Sequence, residues 1–145
     1  MSNKIPVAVL AGTGSVGQRM ISLLDGHPWF EVVEVTASER SEGKRYQDAC
    51  HWFLSTPMPD YVRDMVLLPT AASALSKAKI VFSALPADIA KEIEPDFAKR
   101  GMYLSSNASA YRKDPLVPLL VPEINPQHLD LIDLQHSQYG WTGGI

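Results

Sequence analysis

The sequence has little cysteine, modest charge and no long apolar run. Its 145 residues include one cysteine, which cannot form an internal disulfide, so we expect a reducing compartment and take the cytoplasm as the default location. Charged residues make up 20% of the chain and the net charge is −3, without the basic cluster typical of nucleic-acid-binding surfaces. The apolar runs are far too short to span a bilayer, and no signal-peptide pattern opens the chain. We therefore expect neither a nucleic acid nor a membrane as a partner.

A catalytic set of side chains is also missing. The four histidines have no metal-ligand spacing, and Cys50 lacks the neighbours that would complete a zinc site, so no metal is expected. Because Tyr46, Cys50 and Phe53 share one face of a possible short helix, we interpret Cys50 as a core residue rather than a nucleophile. No arrangement of acid, base and nucleophile that could complete a reaction is therefore visible in the chain.

The most informative stretch lies between residues 6 and 17. The apolar run Val7–Ala11 predicts a buried strand, and Ser15–Leu24 predicts a helix with Val16, Met20, Leu23 and Leu24 facing a sheet. The glycines between them fit the pattern G-x-G-x-x-G, in the strand–turn–helix context that a dinucleotide site needs. Free N–H groups and the helix dipole at such a turn suit a phosphate, although a turn without a ligand is the alternative. The predicted pyrophosphate-binding residues are Gly12, Thr13, Gly14, Ser15, Val16 and Gly17.

Strand and helix patterns alternate along the rest of the chain. This alternation predicts an α/β fold with a Rossmann-like, doubly wound, mostly parallel sheet in a single domain. Pro95 is expected to kink or restart its helix, and Pro118 should reduce residues 116–121 to an extended or edge segment. The predicted strands are Phe30–Ala37, Asp64–Leu68, Lys79–Leu85 and Met102–Ser105, and the predicted helices lie near Ala72–Lys77, at Asp88–Arg100 and from Asn125, as a cap, toward His136.

Ligands of an open parallel sheet bind beyond the carboxyl ends of its strands, where four loops should converge. They are Gly12–Gly17, Ser38–Lys44, Ser83–Pro86 and Ser105–Arg112. The loop after the second strand decides between NAD and NADP, because a carboxylate there favours a ribose hydroxyl whereas cations and hydroxyls favour a 2′-phosphate. Glu39 could serve as the acid of an NAD-type site. The alternative for the cations is that they are only solvated charges of a surface loop. The surrounding donors nevertheless favour NADP, and they are Ser38, Arg40, Ser41 and Lys44.

The two remaining loops are predicted to hold the nicotinamide and the substrate. Ser83, Leu85 and Pro86 follow a buried strand where the nicotinamide half would lie, although an ordinary strand-to-helix turn explains them equally well. Asn107 and Arg112 are candidates for an anionic substrate, because arginine offers two parallel donors to a carboxylate or phosphate. Pairing of that arginine with a nearby aspartate is the structural alternative.

Taken in order, these motifs resemble one family over nearly the whole chain. The matching segments are Val9–Leu10, Thr13–Arg19, Ala37–Lys44, Ser83–Pro86, Ser106–Arg112 and Val121–Asn125. They resemble the N-terminal half of aspartate-semialdehyde dehydrogenase, in the branch found in archaea and fungi. That oxidoreductase reduces β-aspartyl phosphate to aspartate β-semialdehyde with NADPH and releases phosphate, a step toward lysine, threonine and methionine.

The resemblance implies roles for the candidate residues. Thr13–Val16 would hold the pyrophosphate, Ser38, Arg40 and Ser41 the 2′-phosphate, and Asn107 and Arg112 the acyl-phosphate substrate. Two departures matter. The family usually reads Gly-Ala-Thr-Gly where this chain has Ala-Gly-Thr-Gly, so its first glycine is displaced by one residue. The family's nucleophilic cysteine follows shortly after position 145, and its histidine lies in a second domain.

We therefore expect residues 1–145 to be the NADP-binding domain of a normally two-domain enzyme. The truncated chain, without the catalytic and dimerisation domain, should be inactive, and its uncovered sheet edge and helix faces predict self-association. Two alternatives stay open: the corresponding half of a malonyl-CoA reductase, and a stand-alone nucleotide-sensing module.

Overall fold

The sheet is built around β1 (Ile5–Leu10), whose last four residues are completely buried. The computed structural model describes residues 3–145 and contains five parallel strands in the order β3-β2-β1-β4-β5. The chain fills one side of β1 first and then returns to the other side, which makes the gap between β1 and β4 the switch point of the sheet. The other strands are β2 (Phe30–Ala37), β3 (Leu68–Pro69), β4 (Ile80–Ser83) and β5 (Tyr103–Ser106).

Helices cover both faces of the sheet, so the predicted doubly wound α/β fold is confirmed. Alternate residues of β1 point to opposite faces: Val7 and Val9 belong to one core cluster, and Ala8 and Leu10 to the other. The helices are α1 (Ser15–Leu24), α2 (Tyr46–Ala49), α3 (Asp60–Arg63), α4 (Ala87–Lys99) and α5 (Leu131–Tyr139), with 3-10 turns at Ala72–Ala74 and Pro126–Asp130.

Helix α1 has the predicted bounds, and of the four residues predicted to face the sheet Met20 and Leu24 pack in the core while Val16 and Leu23 do not. Val16 and Leu23 are 38% and 64% exposed, whereas Gly17, Gln18, Ile21 and Leu24 are buried. The reason is the glycine: a Cβ on Gly17 would lie 2.3 Å from the carbonyl oxygen of Ala11. The helix therefore turns its one side-chain-free position toward the strand, and this rotation carries Val16 outward.

Pro95 lies inside the continuous helix α4, so the helix does not restart there, and a kink stays a prediction. Proline has no N–H to donate to the carbonyl four residues earlier, which belongs to Lys91. The hydroxyl of Tyr111 donates to that carbonyl at 2.7 Å instead, so the freed acceptor is satisfied from outside the helix.

Several short elements differ from prediction because loops override local pattern. The helix from Tyr46 stops at Ala49, and Phe53 is 53% exposed. Asn125 caps no helix with its side chain, which instead bonds the backbone of Leu119 and Val121. The strand at 64–68 shrinks to Leu68–Pro69, the helix at 72–77 to a 3-10 turn, and no strand forms at 116–121.

Candidate functional site

Three backbone hydrogen bonds connect the loops at the carboxyl edge of the sheet. The N–H of Gly12 donates to the carbonyl of Thr36 at 3.0 Å, joining the ends of β1 and β2. The N–H of Ala84 donates to Leu10 at 3.1 Å, and the N–H of Asn107 donates to Ser83 at 3.0 Å. Each strand end is thus tied to the loop of its neighbour, and the four predicted loops lie side by side at one edge.

The glycine turn begins with a residue in an unusual conformation. Ala11 has a φ of 55°, the left-handed region that costs a side-chain-bearing residue about 1–2 kcal/mol. Gly12 lies against β2, because a Cβ there would come within 2.3 Å of Val35 Cγ1. The displaced glycine therefore has two consequences: Ala11 bears the conformational strain, and Gly12 leaves room for Val35.

The N-terminus of α1 is open toward the solvent. Gly14 is its N-cap and supplies no side-chain cap, and the first turn of α1 contains no acidic residue. A Cβ on Gly14 would meet nothing nearer than the Ala11 carbonyl at 3.7 Å. Helix geometry leaves the N–H groups of Ser15, Val16 and Gly17 without acceptors inside the helix. The turn can accept an anion with these groups, as its residue pattern predicts.

Buried side chains hold the turn from below. The hydroxyl of the fully buried Tyr46 donates to the carbonyl of Gly12 at 2.8 Å. Gln18 Nε2 donates to the carbonyls of Thr13 at 2.9 Å and His51 at 3.0 Å, and Gln18 Oε1 accepts from the N–H of Phe53. Sequence reasoning missed these supports, and a polar Gln18 on the buried face of α1, between the apolar positions, was the available signal.

Cys50 belongs to the same support rather than to a reactive centre. Its sulfur lies 3.9 Å from the Thr13 carbonyl, and burial raises the pKa of its thiol, which disfavours the nucleophilic thiolate. Cys50 is half-buried and follows α2 instead of lying on it. No cluster of three metal-ligating side chains occurs in residues 3–145, and no helix in this range is long and apolar enough to cross a membrane.

The loop after β2 exposes its cations. The N–H groups of Ser41 and Glu42 both donate to the carbonyl of Ser38, at 2.8 and 3.0 Å, which folds the loop into a tight turn. Arg40 and Lys44 are exposed and take part in none of the ion pairs formed within the described part of the chain. This loop follows the strand beside β1, so its charges lie next to the glycine turn.

The loop after β4 exposes mainly backbone atoms to a ligand, because two of its side chains are buried. Ser83 is fully buried and Leu85 is 7% exposed, so both side chains face the core, and Pro86 is the exposed N-cap of α4. Any ligand over this loop would meet main-chain atoms and the proline ring.

The loop after β5, residues 107–112, brings the two substrate candidates together. Arg112 Nη2 donates to the carbonyl of Asn107 at 3.1 Å, and both residues are exposed. Arg112 forms no ion pair with Asp114. The carboxylate of Asp114 instead accepts the hydroxyl of Tyr139, which lies 3.0 Å from each of its two oxygens. The guanidinium is left facing solvent with donors to spare.

Comparison with known proteins matches residues 6–132 to the family model of the semialdehyde dehydrogenase NAD binding domain. The chain is 50% identical to an aspartate-semialdehyde dehydrogenase of Methanothermobacter thermautotrophicus, over 97% of this chain and 40% of that protein. It is 43% identical to the Saccharomyces cerevisiae protein of the same name, over 91% of this chain and 36% of that one. The chain thus spans about 40% of the length of the curated relatives it matches.

Solved structures of proteins with the same name resemble this chain. The Candida albicans aspartate-semialdehyde dehydrogenase with NADP superposes with a TM-score of 0.85 at 39% identity, covering 98% of this chain and 41% of that one. A Vibrio cholerae aspartate-semialdehyde dehydrogenase gives a TM-score of 0.66 at 23% identity, covering 90% and 39%, which shows the fold alone.

Proposed function

Because the chain belongs to the semialdehyde dehydrogenase family, as its NAD binding domain, we propose that it is the NADP-binding part of an aspartate-semialdehyde dehydrogenase. The whole protein would carry out the NADPH-dependent reductive dephosphorylation of β-aspartyl phosphate, toward lysine, threonine and methionine. The observation that carries the proposal is the uncapped N-terminus of α1 behind a supported glycine turn. Relatives from archaea and fungi at 48–50% identity bear the aspartate-semialdehyde dehydrogenase name, so the malonyl-CoA reductase and nucleotide-sensor alternatives are not favoured.

The residues of the turn fit a dinucleotide. The open space at Gly14 admits a pyrophosphate close to the backbone, and the free amides of Ser15–Gly17 point out of the helix end. Thr13 has its carbonyl occupied by Gln18, so its own side chain and N–H remain for the ligand. The bound cofactor would supply the hydride, and the protein would hold and orient it.

Preference for NADP over NAD rests on the loop after β2. Arg40 and Lys44 are exposed beside the turn, and Ser38 and Ser41 add hydroxyl groups at the same place. A 2′-phosphate would gain charge-assisted hydrogen bonds from these groups, which outweighs repulsion by the single carboxylate of Glu39.

The nicotinamide would lie over Ser83, Leu85 and Pro86, and the acyl phosphate beside Asn107 and Arg112. This assignment is supported by the position of the two loops. The N–H of Asn107 donates to the carbonyl of Ser83 at the end of β4, which places the loops in contact. Cys50 is beneath the glycine turn and burial raises the pKa of its thiol, which disfavours the thiolate that would attack an acyl phosphate. We expect the 145-residue chain to bind NADP weakly and to lack activity by itself.

Calorimetric titration with NADP+ and NAD+ tests the proposal. Arg40→Ala should weaken NADP+ binding about tenfold or more and leave NAD+ binding unchanged, since one charge-assisted contact to phosphate is lost. Arg100→Ala, at the opposite edge of the sheet after α4, is the matched control. Equal affinity of the unmodified chain for both nucleotides would refute the NADP preference.

We also infer that the isolated chain self-associates through the region beyond β5. Exposed apolar side chains surround a cavity of about 390 Å³ there, including Leu119 and Leu129 in its lining. A second copy would cover this surface. Sedimentation showing a monomer at high concentration would refute this inference. The cytoplasmic location stays a prediction from the cysteine content.

A further inference from the structure

Glu94 is a completely buried carboxyl group on the face of α4 that packs against the sheet. One oxygen, Oε1, accepts the hydroxyl of Ser106 at 2.6 Å. The other, Oε2, is buried and has no hydrogen-bond partner among residues 3–145. Burial raises the pKa of Glu94, while the hydrogen bond from Ser106 offsets part of the rise. An apolar side chain would fill this place with no orphaned oxygen, so the carboxyl group needs another explanation.

The partner of Glu94 stands at the entrance to the loop 107–112. Ser106 is the last residue of β5, and its Oγ accepts the N–H of Ala108 at 3.2 Å while its proton goes to Glu94. A serine hydroxyl that donates to a fixed carboxyl group has its lone pairs fixed as well. The carboxyl group thus determines where the backbone of Ala108 is held.

A second hydrogen bond connects helix α4 to the same loop. The hydroxyl of Tyr111 donates to the carbonyl of Lys91, the acceptor that Pro95 leaves free. Burial raises the pKa of Tyr111 to about 12, so its hydroxyl keeps the proton at neutral pH. The loop is therefore fastened to one helix both where it starts, through Glu94, and shortly before it ends.

Both substrate candidates lie between or beside these two fastenings. Asn107 sits between Ser106 and Ala108, with its N–H on the carbonyl of Ser83, and its own carbonyl accepts from Arg112 at 3.1 Å. A change at Ser106 therefore shifts the asparagine directly and the arginine through it.

We propose that Glu94 is a positioning residue for Asn107 and Arg112, acting through Ser106. The inference rests on the proposed function for its account of what those two residues bind, and on the hydrogen bonds alone for its account of what holds them. The expected ligand chemistry is the phosphate group of an acyl phosphate.

Three variants distinguish the hydrogen-bond acceptor that Glu94 supplies from the volume that its side chain fills. Glu94→Gln keeps an oxygen for Ser106 and places an NH2 group where Oε2 is unpartnered, so it should preserve the loop. Glu94→Leu keeps the volume without an acceptor, and Ser106→Ala removes the intermediate link while leaving α4 intact. The readout is amide hydrogen exchange at Asn107 and Ala108, with Val9 in β1 as the internal reference.

Glu94→Leu should speed exchange at Asn107 and Ala108 about tenfold relative to Val9, and Glu94→Gln should stay within about twofold. Ser106→Ala is read at Asn107 alone, because it deletes the acceptor of the Ala108 N–H, and exchange there should also rise about tenfold. If Glu94→Leu fails to fold, Ser106→Ala and Glu94→Gln still give opposite predictions. Unchanged exchange in Ser106→Ala, or equal acceleration of all three amides, would overturn the positioning role.

Two probes connect the loop to the ligand. Inorganic phosphate, followed by NMR shifts of residues 107–112, should bind several-fold more weakly to Glu94→Leu and Ser106→Ala than to the unmodified chain. Adenosine 2′,5′-bisphosphate, which reaches only the other half of the crevice, should bind all variants equally. Unchanged phosphate affinity in a variant with a loosened loop would overturn the inference. Failure of the unmodified chain to bind NADP+ or the bisphosphate would refute the proposed function, and the exchange data would still decide the role of Glu94.

Discussion

The glycine turn and the loop 107–112 lie at the same edge of one sheet but are held differently. The turn is supported from below by buried donors, with Tyr46 on Gly12 and Gln18 on Thr13. The loop after β5 is exposed at Asn107 and Arg112 and is fastened to α4 at its start and near its end.

The surroundings of the two regions differ as well. The turn is covered by α1, α2 and the segment that follows, so its outward side alone is free for a ligand. Beyond the loop, apolar side chains such as Leu119, Val121 and Ile124 are 62%, 46% and 78% exposed. Residues of the described chain thus cover the glycine turn on all but its outward side, whereas the loop 107–112 adjoins apolar surface that nothing in residues 3–145 covers.

The strongest way to break the turn is Gly17→Ala. The new Cβ would lie 2.3 Å from the Ala11 carbonyl oxygen and 2.6 Å from Gly12 Cα, so α1 has to move off β1. We expect a loss of about 2–3 kcal/mol in the free energy of unfolding, measured with urea, and loss of NADP+ binding. Gly14→Ala is the matched control, because its Cβ would make only an ordinary van der Waals contact, 3.7 Å from the Ala11 carbonyl oxygen: stability should hold while NADP+ binding falls. Equal stability of the two variants would contradict the close helix–strand contact.

Removing the hydroxyl of Tyr46 tests whether the buried donors hold the glycine turn. Tyr46→Phe deletes the hydroxyl that satisfies the Gly12 carbonyl, which should cost about 1–2 kcal/mol of stability in urea unfolding and weaken NADP+ binding. Tyr61→Phe deletes a similar bond, from its hydroxyl to the Ile21 carbonyl at 2.7 Å. The control should lose stability alone, since Ile21 lies away from the turn. If both variants bind NADP+ equally, the support is not specific to the turn.

On the substrate side, Glu94→Gln should change how stability depends on pH. Burial raises the folded pKa of this carboxyl group, so the stability it contributes is present below its unfolded pKa near 4.5 and is lost as the pH rises through the folded pKa. Glutamine carries no such proton, so the melting temperature of the variant should gain on that of the parent from pH 4 to pH 8. Glu92→Gln, exposed on the same helix, is the control. A difference that stays constant with pH would contradict a buried, titrating Glu94.

The smallest effect on folding is expected from Ile124→Ser. Its side chain is 78% exposed, so the free energy of unfolding should change by less than about 0.5 kcal/mol. Sedimentation at high concentration should nevertheless show weaker self-association. Ser109→Ala, at an exposed position without apolar surface to remove, is the comparison. Unchanged association would place the contact elsewhere on the molecule.

Local pattern predicted the parts of the molecule that local physics controls. The apolar run at β1, the glycine turn and the bounds of α1 and β2 all follow from periodicity and turn residues read in sequence order. The buried face of α1 was predicted only in part, at Met20 and Leu24, since Gly17 approaches the strand closely and no hydrophobic pattern records that contact. Helix α4 shows the same limit: Glu94 lies on a stripe with Ala90 and Phe97, and only packing decides that a carboxyl group stays there.

The chain order of strands, helices and motifs determined the fold class, the family likeness and the edge at which a dinucleotide would bind, because these depend on backbone periodicity and on residues adjacent in sequence. The tertiary structure alone decided which side chains hold that edge in place. Tyr46 reaches Gly12 across 34 residues, and Glu94 reaches Ser106 from a separate element. Such partners meet only after the sheet has brought distant segments together, and burial then gives their hydrogen bonds the strength to fix a loop.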